Sequence, residues 1–278
     1  MKTTTKRDVG GCGRVFKKAK PKKHASDLGF FSKPKSATFF SLLIKMRILE
    51  LFSGTHSVGK VSKEMGWEVV SLDLQGADIN CDVMSWDYKT AFKPHDFDVI
   101  WASPPCEKFS RLRRSWIGRK IKQFGDEVVT GEMLDKDMVE NGLPILRKTE
   151  EIINYFKPKY YYIENPLSGK MREFINDKPY HDVDYCRYGS QNQKPTRIWT
   201  NVTEFKPKRC CKLCGNIKNG IHISNVGGRN SENSKVVKGM NNKYRIPPLL
   251  IKDLFSFVNV TSEFLYEDPD YLKYRFVL

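Results

Sequence analysis

RILELFSGTHSVGKVSKEMGWEVVSLD, residues 47 to 73, reads as strand, turn, helix and strand in succession. RILELF is a short apolar run of the kind a strand buried on both faces carries. SVGKVSKEM has helical character and is closed by Gly66, and EVVSLD (68 to 73) returns as a second strand. A strand that comes back parallel to the first needs such a crossover, so this stretch predicts a βαβ unit.

The pattern continues outward. ADINCDV, FDVIWAS, KYYYIE and VDYCRY supply further candidate strands. LPILRKTEEIINYF is the strongest helix: Pro144 sits near its first turn and Ile145, Leu146, Thr149, Ile152, Ile153 and Phe156 trace one face, until Pro158 stops it. PPLLIKDLFSFV predicts a last helix burying Leu250, Ile251, Leu254, Phe255 and Val258. Strands alternating with helices imply an α/β fold with a doubly wound, mostly parallel, Rossmann-like sheet. The expected organisation is a basic, disordered extension over 1–45, a catalytic domain over 46–200, a small irregular insertion over 201–243 and a helical segment over 244–278 that packs back on the catalytic domain.

The 278 residues carry a net charge of +16 with a pI near 9.4, which favours a polyanionic partner such as nucleic acid over an acidic metabolite. About +10 of that charge lies in residues 1–45, where ten lysines and two arginines face Asp8 and Asp27. The run Lys17 to Lys23 reads as a solvated tail, with a nuclear-import or DNA-contacting arm as the specific alternative. Regular structure is expected from Met46, which would also serve as the start of a compact protein. Seven cysteines without a framework suit a reducing, intracellular compartment. FFSLLI (39 to 44) is too short to span a bilayer, so no membrane partner is expected, and the chain is read as a monomer.

FSGTHSVG (52 to 59) is a glycine-containing turn between strand and helix, where a doubly wound fold holds a nucleotide-like ligand; His56 stands at the second glycine position of a G-x-G. Asp73 follows Gly54 by 19 residues, the spacing at which an acid reaches ribose hydroxyls, and Asp82 is placed to meet an adenine amino group or to cap a turn. No Walker lysine motif is present. Adenosine without phosphates therefore fits best, and S-adenosylmethionine is the leading cofactor.

FDVIWASPPCEKFSRLRR (97 to 114) ends an apolar strand in two prolines and a cysteine. Taken alone, Cys106 reads as a small buried residue. Lys108, Arg111, Arg113 and Arg114 follow it and would favour a thiolate, Ser110 adds a hydroxyl, and IENP brings Glu164 to the same sheet edge.

In that order, the glycine turn, PPC-x-x-x-S, the EN after a later strand and YGSQNQKPTRIW resemble the DNA (cytosine-5) methyltransferases over about residues 46–200, with a weaker echo in YRIPPLLIKDLF. The resemblance implies that Cys106 adds to carbon 6 of a flipped cytosine, that Glu164 assists at ring nitrogen 3, that Asn165 orients the loop and that Arg197 holds the base carbonyl. It further implies a cofactor set of Phe52, Ser53, Gly54, Asp73, Asp82 and Pro104, and contacts to DNA from Ser110, Arg111, Arg113, Arg114 and Lys194. The basic segment through Arg119, Lys120 and Lys122, with Trp116 and Phe124 interleaved, is expected to close over DNA as a mobile loop.

Several positions depart from the family pattern. His56 replaces a glycine, ENP stands for the usual ENV, and Pro195 replaces one arginine of Q-x-R-x-R. The recognition region is small, as in compact phage and viral members. Two rivals stay open: an amino-methyltransferase of the S-P-P type, and an inactive nucleic-acid-binding relative. RNA stays open as substrate, as do restriction-modification and viral marking as settings. CCKLCG with His222 gives one C-x-x-C knuckle, and a zinc site on Cys211, Cys214 and His222 is considered, with Cys210 as a further ligand.

Overall fold

The computed structural model describes residues 45–226 and 230–258. The basic extension and the end of the C-terminal segment lie outside them.

Seven strands form the central sheet: β1 (Arg47–Leu51), β2 (Glu68–Asp73), β3 (Ile79–Asn80), β4 (Val99–Ala102), β5 (Tyr160–Pro166), β6 (Tyr180–Asp184) and β7 (Pro195–Thr200). Their order is β3-β2-β1-β4-β5-β7-β6, parallel throughout except that β7 runs antiparallel to β5 and β6. The helices are α1 (Ser57–Glu64), α2 (Tyr88–Ala91), α3 (Gly131–Asp137), α4 (Leu143–Phe156), α5 (Met240–Tyr244) and α6 (Pro248–Phe255). None is long and apolar enough to cross a membrane among the described residues.

The unbroken apolar strands are explained by cover on both faces. Alternate residues of β1 point into two separate cores: Leu49 and Leu51 join one, Ile48 the other. The first core packs α4 against an aromatic group in which Phe156 meets Trp86, Tyr88, Phe92 and Phe97. The second packs α1 and α6, and there Trp101 stacks on Tyr162 with ring centres 5.3 Å apart while Phe255 of α6 closes on both. Such aromatic pairs contribute about 0.5–1.5 kcal/mol each beyond the area they bury.

Glu50 is a buried acid in β1 and serves the turn that follows. Its Oε1 accepts the N–H of Val58 at 3.1 Å and its Oε2 the N–H of Gly59 at 3.0 Å, tying the strand to the first turn of α1. Burial pushes the Glu50 carboxyl up to about 7, against the pull of those two donors. A Cβ on Gly59 would lie 2.7 Å from Glu50 Oε2 and 3.2 Å from Val69 Cγ1. Gly59→Ala is therefore expected to cost about 1–3 kcal/mol of stability, measured by urea denaturation, because the carboxylate it strikes is held at both oxygens.

Three elements differ from the sequence reading. VDYCRY is strand only as far as Asp184, and Tyr185–Tyr188 then form a 3-10 turn that ends at left-handed Gly189. PTRIWT, not anticipated as a strand, is β7, sandwiched between β5 and β6. ADINCDV contributes only Ile79–Asn80.

The segment after β7 carries two small two-stranded pieces: β8 (Ile217–Lys218) with β9 (Ile221–His222), and β10 (Ser224–Asn225) with β11 (Lys235–Val236). Between Phe205 and Ile246, the buried residues among those described are His222 and Ser234. This part of the chain has no apolar core of its own.

Candidate active site

β1, β4 and β5 are in register, with Leu51 beside Ala102 and Ala102 beside Ile163, so their carboxyl ends deliver three loops to one edge. Doubly wound sheets bind ligands at that edge.

The β1 loop holds the cofactor-type residues. Phe52, Gly54 and His56 all take left-handed backbone conformations, with φ of 58°, 45° and 54°. His56 thus adopts the conformation that a motif glycine would favour, held by its Nε2 at 2.8 Å from the Gly76 carbonyl oxygen. The Gly54 N–H donates to Asp73 Oδ2 at 2.8 Å, and Asp73 Oδ1 accepts from Leu74 at 2.7 Å. Asp82 follows Cys81, whose N–H donates to the Asp73 carbonyl, and its Oδ1 accepts from Met84. The structure therefore gathers Phe52, Ser53, Gly54, Asp73 and Asp82 at the ends of β1, β2 and β3. Ser53 is buried and its Oγ has no hydrogen-bond partner among the described residues. A buried hydroxyl with no partner costs free energy, and a ligand seated on this turn would satisfy it. These residues fit an adenosine-type cofactor.

The β4 loop carries Pro104 and Cys106, and the β5 end carries Glu164 and Asn165. Asn165 Nδ2 donates to the Pro104 carbonyl at 2.9 Å, fastening the two loops together, while its Oδ1 is buried without a partner among the described residues. Tyr185 donates its hydroxyl to Glu164 Oε1 at 2.9 Å, and Lys194 Nζ lies 3.6 Å from the same oxygen and 4.7 Å from the Tyr185 ring centre. Among the described residues, the hydrogen bond that Glu164 accepts is at Oε1, and Oε2 takes none. Burial pushes the Cys106 thiol up, the Glu164 charge adds to this, and Lys194 pulls the other way. Tyr185 is raised well above the ordinary phenol value by complete burial and by Glu164.

The expected group of cations beside the cysteine is distributed differently. Arg113 is buried and ion-paired with Asp137, with its guanidinium carbon 5.3 Å from the ring centre of Trp116 and 5.8 Å from that of Phe124. Lys108 reaches Asp137 at 3.0 Å, Arg114 faces Asp135 at 3.5 Å and Arg111 faces Glu173 at 3.8 Å. Four carboxylate contacts thus engage these side chains, and Lys194 is the cation that pulls the Cys106 thiol down. Ser110 caps the 3-10 helix Arg111–Trp116 by accepting from Leu112. Of the loop's cations, Arg111, Arg114, Arg119, Lys120 and Lys122 are exposed.

Arg197 also stands apart from Glu164. It pairs in register with Asn165 on β5 and Asp182 on β6, so pleating sends it to the opposite face of the sheet from Glu164. There Nε and Nη2 make two bonds to Asp182, at 2.7 and 2.9 Å, and the guanidinium stacks on Tyr180 at 3.5 Å. Tyr185 lies in a run whose pattern reads as strand, so no signal in the sequence marks it as part of the site. Lys194, expected at nucleic acid, has its Nζ 3.6 Å from the Glu164 carboxylate.

Cys210, Cys214 and His222 come together with Cys186, which the sequence reading did not include. Cys211 does not join them; it is exposed, 3.5 Å from Arg187 Nη1.

No family model matches the chain. Among solved structures, an Entamoeba histolytica methyltransferase aligns with TM-score 0.39 and 14% identity over 59% of this chain and 55% of its own. A Spodoptera frugiperda DNMT2 mutant aligns with TM-score 0.36 and 18% identity over 60% of this chain and 54% of its own. This chain thus spans about half of each, and neither carries the assignment. A curated relative from Frog virus 3 (isolate Goorha), named as a probable DNA (cytosine-5)-methyltransferase, is 41% identical over 221 residues, covering 75% of this chain and 98% of the relative. Identity of that degree along almost the whole of the viral protein means that the chain belongs to the DNA (cytosine-5)-methyltransferase family.

Proposed function

We propose that this chain transfers a methyl group to carbon 5 of cytosine in DNA, with Cys106 as nucleophile and Glu164 as the acid at ring nitrogen 3. The observation that supports this most is the arrangement around Glu164: Tyr185 and Lys194 both engage Oε1, which leaves Oε2 for the base. S-adenosylmethionine supplies the methyl group when bound, and Ser53, Gly54, Asp73 and Asp82 are the residues that would hold it.

Carbon 5 of cytosine is a weak nucleophile. The Cys106 thiolate adds to carbon 6, Glu164 stabilises the charge that moves toward nitrogen 3, and carbon 5 becomes electron-rich enough to take the methyl group. Loss of the carbon 5 proton then expels the thiolate and restores the ring. These atoms are hidden in a duplex, so the cytosine must leave the stack. Asn165 keeps the Pro104–Cys106 turn fixed against the end of β5 while the base enters. Arg111, Arg114, Arg119, Lys120 and Lys122 give the phosphate backbone a charged surface. A cleft of about 740 Å³ lies between Tyr188–Asn192 and the stretch from Lys235 to Arg245, and buried Asn192 Oδ1 has no partner there. It supports a groove in which the recognition segment meets DNA.

Nucleoside mass spectrometry of DNA and RNA from cells expressing the chain tests this reading. The expected mark is 5-methylcytosine in DNA, absent with Cys106→Ala. N4-methylcytosine without 5-methylcytosine, or a mark confined to RNA, would overturn it.

A further inference from the structure

Four side chains, three from the segment that follows β7 and one from before that strand, meet where the segment joins the catalytic domain. Cys186 lies in the 3-10 turn after β6, Cys210 and Cys214 follow β7, and His222 closes β9. Their ligand atoms all lie within 4.8 Å of one another. His222 Nε2 is 3.4 Å from both Cys210 Sγ and Cys214 Sγ, and these two sulfurs are 4.0 Å apart. With metal–sulfur bonds of about 2.3 Å and metal–nitrogen bonds of about 2.0–2.1 Å, a tetrahedral ion sets neighbouring ligand atoms about 3.5–3.8 Å apart. All three of these cysteines are free, so the spacing is not that of a disulfide.

The contacts around Cys210 fix its sulfur in place. The Lys212 N–H donates to Cys210 Sγ at 3.3 Å, and the Cys210 N–H donates to Asp184 Oδ2 at 2.8 Å, which fixes the loop that presents the sulfur. A metal would also supply what the local sequence lacks. The segment buries no apolar residue among those described between Phe205 and Ile246, and a stretch without a core is held by such a bond instead.

We propose that Cys186, Cys210, Cys214 and His222 bind one structural Zn²⁺ that bolts the 206–238 segment to the catalytic domain. Three cysteines and one histidine close a tetrahedral shell and leave no open position, so the ion has a structural rather than a catalytic role. The adjacent pair of cysteines divides its work: Cys210 is a ligand and Cys211 is not.

The test uses the purified full chain. Elemental analysis is expected to give close to one zinc per chain, falling at least about tenfold in Cys186→Ser and in Cys214→Ser and unchanged in Cys211→Ser. Replacement by Co²⁺ in the unaltered chain is expected to give the intense visible bands of a tetrahedral site together with thiolate charge transfer, which keeps the test decisive if a variant does not fold. Chelation should expose 206–238 to limited proteolysis while the catalytic domain stays resistant. Absence of zinc from the chain, a Co²⁺ spectrum of octahedral type, or full zinc retention in Cys186→Ser would overturn the proposal. Metal content is independent of the methyltransferase reading, so either can fail while the other stands.

Discussion

Cys106→Ala is expected to lower kcat/KM for DNA methylation by about a thousandfold or more, because no other group in the site can form the bond to carbon 6. Cofactor affinity, measured by calorimetry, is expected to change little, since the β1 turn does not depend on the thiol. The wild-type chain should also form a denaturant-stable complex with DNA bearing 5-fluorocytosine in the presence of cofactor: fluorine cannot leave carbon 5 as a cation, so the adduct persists. Cys106→Ala should form none. The pH dependence follows from the same geometry. Burial first and Glu164 second hold the free-enzyme thiol above its ordinary range, so the thiolate fraction grows as pH rises. kcat/KM is expected to climb through the ordinary thiol value of about 8.5 and to level only beyond it. Lys194→Met removes the opposing cation and should move that limb to higher pH. A plateau already reached at neutral pH would contradict the placement of Lys194 and Glu164 around the thiol.

Asp137→Ala is expected to cost about 3–5 kcal/mol in urea denaturation, the range for stranding one partner of a buried ion pair. Asp137 accepts from Lys108, Arg113, Gln123 and Asn141, so one carboxylate gathers the loop after Cys106 and the end of α3. Burial works against its charge, yet these donors hold its carboxyl below the usual aspartate range. Its contribution is therefore present in full above that range and is lost as the pH falls below it, through the lowered folded-state value. The double change Asp137→Ala with Arg113→Met should recover most of the loss, because no buried charge is then left alone. Equal stability of the single and double variants would show that Arg113 simply swings into solvent.

How much of this was legible in the sequence depended on how local the determinants were. The β1–turn–α1–β2 unit could be read because each part obeys a short-range rule: apolar run, glycine turn, helical face, apolar run. Cys106 and Glu164 could be placed at one edge because one follows β4 and the other lies near the end of β5, and parallel pairing brings those two strand ends together. β7 could not be read, since Pro195 and Arg197 look unlike a central strand until Asp182 on β6 neutralises the arginine. The fate of the basic loop was hidden for the same reason: Lys108, Arg113 and Arg114 find carboxylates on α3, more than twenty residues away. Cys186 precedes Cys210 by a span containing all of β7, and no knuckle spacing announces it.

The turn Asp184–Tyr188 also determines what could be exchanged between relatives. Asp184 takes bonds from Gln193, Arg209 and the Cys210 N–H, Tyr185 reaches inward to Glu164, and Cys186 reaches outward to the cysteine–histidine cluster. A graft that replaced only the chain beyond β7 would sever these links and leave the turn's acid and thiol without counterparts. The smallest transplantable unit runs from Asp184 onward, and because that unit includes Tyr185, a swap intended to change which DNA sequence is read is expected also to retune Glu164, the proposed acid.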